Sequence, residues 1–109
     1  METLKDAKEF NKIINQFKHK PLLLNFYSDS CKPFDSVITT LQKLSIEYNG
    51  IVEIKKVDID INTELTDWFR VKEIPYLVFI KNREIIRKLN ELPCDNELRN
   101  CLNLLIDCN

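Results

Sequence analysis

A chain of 109 residues, 44% apolar and 30% charged, is long enough to close one hydrophobic core and too short for two, so a single domain over 1–109 is expected. Sixteen basic against seventeen acidic residues leave a net charge of −1 with no block of either sign, which excludes the charge footprint of a nucleic-acid or membrane-surface binder. No stretch is apolar for long enough to be a signal peptide or a membrane span. The four widely spaced cysteines, Cys31, Cys94, Cys101 and Cys108, do not make the disulfide framework of a small secreted protein; a cytoplasmic protein with free thiols is expected.

Residues 2–5 are a short candidate strand. Asp6 and Glu9 form a D-x-x-E capping pattern ahead of Phe10, Ile13, Ile14 and Phe17, whose spacing predicts an amphipathic helix over 7–18. His19 falls just past its end and is read as solvated. PLLLNFYS, opened by Pro21, is a short apolar run of the kind buried on both faces in mid-sheet, with Asn25 its polar interruption. From Lys32 to Tyr48 the positions Phe34, Val37, Ile38, Leu41, Leu44 and Tyr48 keep helical spacing, Pro33 falls in the first turn, and Asn49-Gly50 ends the run.

IVEIKKVDIDI reads as a strand in which Val52, Ile54, Lys56 and Asp58 share a face, turning Lys56 inward with Asp58 as the nearest group to balance it. Residues 62–70, with Leu65, Trp68 and Phe69, make a short helix, and EIPYLVFIKNREIIRKL makes two strands around a Lys81–Glu84 turn. Leu98, Cys101, Leu102 and Leu105 mark a C-terminal amphipathic helix started by Cys94 or Asp95. Cys94, Cys101 and Cys108 recur every seven residues on its stripe, about 10.5 Å apart and too far for a bridge. The alternation of helix and strand, closed by a hairpin, implies an α/β fold: a central mixed sheet with helices on both faces. Function is then expected at the carboxyl ends of the parallel strands, where Cys31 falls.

These residues resemble the thioredoxin family over nearly the whole chain. LLLNFYSDSCKPF resembles the family's strand-turn-helix bearing W-C-G-P-C, VDID the end of its third strand, and EIPYLVFIKNRE its I-P-T strand and hairpin. The resemblance implies the thioredoxin fold, thiol-disulfide redox chemistry and protein thiols or disulfides as partners, with no resident cofactor and no metal. Carried over residue by residue, Cys31 matches the attacking cysteine and Pro33 the proline, while Ser30 replaces the tryptophan, Lys32 the glycine and Phe34 the resolving cysteine. Asn25 stands for a buried aspartate that accepts a proton, Lys56 matches its lysine neighbour, and Pro75 matches the cis proline, with Tyr76 in place of threonine.

Two leading readings follow, with glutathione or iron-sulfur binding of the single-thiol glutaredoxin kind as a third that lacks the glycines of a glutathione cradle. In the first, Cys31 is a nucleophile whose thiolate is favoured by the helix start and Lys32, and it works through mixed disulfides with glutathione as co-substrate, because Phe34 cannot resolve them. In the second, the fold is a redox-inactive adaptor binding a partner protein in a groove lined by Tyr27, Pro75 and Tyr76. PCDNEL also resembles the segment with which glutaredoxins hold a glutathione carboxylate, but the glycines that precede it there are absent. Nothing in the sequence specifies an oligomeric state.

Overall fold

Six consecutive residues, Leu22 to Tyr27, are all buried and form the centre of the molecule. The computed structural model describes residues 1–16, 20–30 and 35–107. In it this strand, β2 (Leu22–Tyr27), pairs in parallel with β3 (Glu53–Asp58) and antiparallel with β4 (Tyr76–Lys81). A short β1 (Glu2–Thr3) extends the sheet past β3 and β5 (Glu84–Leu89) extends it past β4, giving the order β1-β3-β2-β4-β5. A strand with neighbours on both edges and helices on both faces meets no water, so LLLNFY runs apolar instead of alternating.

The pleat sorts the core into two layers. Leu23, Ile54, Leu77 and Phe79 face α2 (Asp35–Glu47) and α4 (Asp95–Asp107), which bury Val37, Leu41, Leu44, Leu98, Cys101, Leu102 and Leu105 against them. Leu22, Leu24, Phe26, Val57, Val78 and Ile80 point the other way, to Phe10 of α1 (Ala7–Gln16), to Leu65 of α3 (Thr63–Trp68), and to Phe69 just beyond it.

Local chemistry sets the element ends. Asp6 Oδ1 accepts from the Glu9 N–H at 2.8 Å while Glu9 Oε2 accepts from the Lys5 N–H at 3.0 Å, so the D-x-x-E pattern closes reciprocally at the start of α1. Helix α1 ends at Gln16, and the last two positions of the expected 7–18 helix, with His19, lie outside the described residues. After α2 the chain turns at Gly50, whose φ of +83° suits a residue without Cβ. The third strand is shorter than the expected 51–61: Ile51 donates to the Tyr48 carbonyl at 2.9 Å, and beyond Asp58 the chain turns, Asn62 N–H donating to the Asp58 carbonyl at 2.8 Å. Asn62 then caps α3, its Oδ1 accepting from the Leu65 N–H at 3.3 Å. The expected 62–70 helix stops at Trp68, and Arg70 has a φ of +56°. The Lys81–Glu84 turn is of the mirror-image hairpin type, with Asn82 and Arg83 at φ of +54° and +66°. A register shift between Phe79 and Ile80, which the sequence pattern does not reveal, kinks the β4–β5 pair.

Candidate functional site

Because β2 and β3 run parallel and in register, they end side by side, with Tyr27 opposite Asp58. Four residues after Tyr27 the chain reaches Cys31, and α2 is described from Asp35 onward. Cys31, Lys32, Pro33 and Phe34 lie outside the described residues; the site is therefore built from what surrounds that segment.

The two strand ends are laced together by polar groups. The Ser28 hydroxyl donates to Asp60 Oδ2 and lies 2.7 Å from the Ser30 hydroxyl, which itself is 3.4 Å from Asp60 Oδ2. The Asp60 N–H donates to Asp58 Oδ1 at 2.9 Å, and the Ile59 N–H to the Tyr27 carbonyl at 2.9 Å. Ser28 and Asp58 are buried while Ser30 is exposed. The backbone leading into Cys31 is thus held to the loop after β3 from both sides. Sequence reasoning did not find Ser28 or Asp60. The available signal was the clustering of S-D-S and D-I-D at the ends of two strands expected to be parallel.

Beneath this lacing lie the other residues singled out from the sequence. Leu23 and Ile54 pack toward α2 and α4, so the period of two puts Asn25, Tyr27, Lys56 and Asp58 on that same face, at the end where α2 begins. Asn25 pairs in register with Lys56 and is fully buried. Both atoms of its amide, Oδ1 and Nδ2, are without a hydrogen-bond partner among the described residues. Lys56 is half-buried, and its Nζ lies 5.3 Å from the centroid of the Tyr27 ring, a cation–π arrangement. The expected Lys56–Asp58 balance is not made among the described residues: the Asp58 carboxylate turns to the Asp60 N–H instead. Burial pushes the Tyr27 phenol above its ordinary range, with hydrogen bonding to Thr3 opposing it and the nearby Asp29 and Asp58 charges adding to it.

Across β2, the Ile74–Pro75 peptide is cis, immediately before β4. Tyr76 pairs in register with Phe26, so its ring stands on the α1–α3 face, 6.0 Å from the Phe26 ring. Tyr27 is on the opposite face. The pleat therefore separates the two tyrosines that the sequence reading put in one groove, leaving Pro75 and Tyr76 together and Tyr27 under Lys56. Cys94 is exposed just ahead of α4, and its carbonyl accepts from the Leu98 N–H at 2.9 Å, whereas Cys101 is buried. Cys108 lies outside the described residues. Among the described residues no group of three His, Cys, Asp or Glu side chains is placed to hold a metal ion, and no helix is long and apolar enough to cross a membrane.

A mixed five-stranded sheet in this order, with a cis proline immediately before β4, matches a known architecture. The family model described as Thioredoxin matches residues 2–103. The chain belongs to the thioredoxin family. Among related sequences, Haemophilus influenzae thioredoxin is 33% identical over 84 residues, covering 76% of this chain and 78% of that protein. Thioredoxin-1 of Drosophila yakuba is 29% identical over 82 residues, covering 75% and 77%. Among solved structures, Fasciola hepatica thioredoxin superposes with a TM-score of 0.86 at 27% identity, covering 94% of this chain and 97% of that one. The protein is thus thioredoxin-like in fold and in its redox family.

Proposed function

We propose that this thioredoxin-family protein works with one active-site thiol, Cys31, forming mixed disulfides with partner proteins and relying on a separate thiol for release. The observation that carries the reading is the order Cys31-Lys32-Pro33-Phe34 between the laced end of β2 and the start of α2. The attacking cysteine is kept and a phenylalanine stands where the resolving one would be.

The chemistry balances in three exchanges. The Cys31 thiolate attacks one sulfur of a substrate disulfide; the Cys31–substrate bond forms, the substrate bond breaks, and the second substrate sulfur leaves as a thiolate that takes up a proton from solvent. An external thiol of the glutathione class then attacks the Cys31 sulfur of the mixed disulfide and releases the substrate fully reduced, and a second such thiol attacks the Cys31-bound external thiol, restoring the Cys31 thiolate and leaving as the external disulfide. Lys32 favours the Cys31 thiolate, and the Ser28–Ser30–Asp60 lacing fixes the chain that delivers it. Asn25 supports the absence of an internal second step, because an amide accepts no proton from a resolving thiol. Pro75 and Tyr76 supply the backbone and ring against which an extended partner segment lies, and Lys56, held over Tyr27, keeps a positive charge on the α2 face of the same strand ends. A reducing compartment such as the cytoplasm suits an enzyme that draws on a soluble thiol.

Competitive alkylation of the folded protein near neutral pH, followed by peptide mass spectrometry, tests this. Cys31 is expected to label about tenfold faster than exposed Cys94, because a thiolate favoured by a neighbouring cation is the reactive form, and buried Cys101 is expected to label last. Labelling of Cys31 no faster than Cys94 contradicts the proposal. The adaptor reading then takes its place, with partner capture unchanged by Cys31→Ser.

A further inference from the structure

On the side of the sheet away from Asn25 and Lys56, α1 and α3 leave a groove of about 530 Å³ between them. Its apolar lining is Ala7, Phe10, Ile14 and Leu65, with Trp68 at the side. Trp68 is the chain's one tryptophan and is 66% exposed. It is nonetheless fixed: its ring centroid lies 6.3 Å from that of Phe10 and 4.7 Å, edge-on, from that of Phe69, and both of those rings are buried. A large aromatic plane braced from below by buried rings and open to solvent above is the kind of surface that anchors a partner.

The polar lining of the groove has one sign. Glu64 and Asp67 of α3 stand beside Trp68, Asn11 is neutral, and among the described residues no lysine or arginine lines it. In a chain whose net charge is only −1 this is a local feature, not a consequence of overall acidity. The apolar surface runs on beyond Trp68, where Phe10, Ile14, Trp68, Phe69, Ile80 and Ile85 line a smaller hollow of about 40 Å³. Arg83 borders that hollow and not the groove, and it donates to Asn15.

We infer that the α1–α3 groove docks a basic amphipathic helix of a partner protein. A bulky aliphatic side chain of that helix fills the space over Phe10 and Leu65, and a lysine or arginine next to it lies over the Trp68 face between the Glu64 and Asp67 carboxylates. The site draws on no part of the 28–35 segment, so it is independent of the thiol chemistry.

Trp68 makes the test direct, since the emission of a single tryptophan reports the occupied groove. The probe is a leucine–lysine peptide of helical periodicity about four turns long, compared with a leucine–glutamate peptide of the same pattern. The leucine–lysine peptide is expected to shift Trp68 emission to the blue with saturation, and to bind at least about tenfold more tightly than the leucine–glutamate peptide. The exposed pair Glu64→Lys/Asp67→Lys is expected to weaken it by a similar factor, the milder Glu64→Gln/Asp67→Asn by less, and Cys31→Ser not at all. An emission that never saturates, equal binding of the two peptides, or an affinity untouched by both charge changes overturns the inference.

Discussion

Asn25 is the residue whose energetics are most out of balance. A fully buried amide whose oxygen and nitrogen both lack partners among the described residues gives up its hydration without replacement, at a cost of roughly 1–3 kcal/mol. Its neighbours in register, Lys56 and Leu77, do not relieve it, for the Lys56 Nζ lies over the Tyr27 ring and Leu77 has no polar side-chain atom. Replacing it with the γ-branched apolar analogue, Asn25→Leu, is therefore expected to raise the unfolding free energy by about 1–3 kcal/mol in urea denaturation. A loss of stability in that variant would show that the amide is satisfied and structurally required. Residues of this kind explain part of what the sequence makes legible. Asn25 stands out as the polar interruption of LLLNFY, whereas the partnership of Ser28 with Asp60 does not, because it joins loops 32 positions apart and only the strand register brings them together.

At the scale of elements, the sequence patterns and the structure agree where periodicity is long and diverge where a few backbone angles decide. The stripes of α1 and α4 and the apolar run of β2 are readable because burying them needs one fixed period. The ends of β3 and α3 are not: the strand yields at Asp58 because the turn to Asn62 satisfies the Asp58 carbonyl and leaves Asn62 free to cap the next helix. A six-residue helix such as α3 has few internal hydrogen bonds, so its cap carries much of its stability. Asn62→Ala is expected to lower the unfolding free energy by about 1–2 kcal/mol and to raise hydrogen exchange selectively across Thr63–Phe69. An unchanged exchange pattern would place the stability of α3 in the Leu65 and Phe69 packing alone. The two tyrosines give the same lesson for sheets. Tyr27 and Tyr76 are both near the expected groove in sequence, yet pairing Tyr76 with Phe26 sends them to opposite faces, and no local pattern encodes that register.

Taken whole, the molecule divides its labour between the two faces of one sheet. The α2 face carries the strand ends, Asn25, Lys56 and the lacing that leads to Cys31; the α1–α3 face carries Trp68 and its acidic groove. The scaffold is that of a thioredoxin, with its sheet order and cis proline, and the one-thiol proposal rests on Phe34 standing where a second thiol would act. The most direct measurement is insulin reduction by the wild type and by Phe34→Cys, each with NADPH and a thioredoxin reductase as the electron source and with or without added glutathione. Negligible turnover of the wild type without glutathione, with turnover appearing in Phe34→Cys under the same conditions, is the expected result. Wild-type turnover matching that of Phe34→Cys in the absence of glutathione would contradict the one-thiol account.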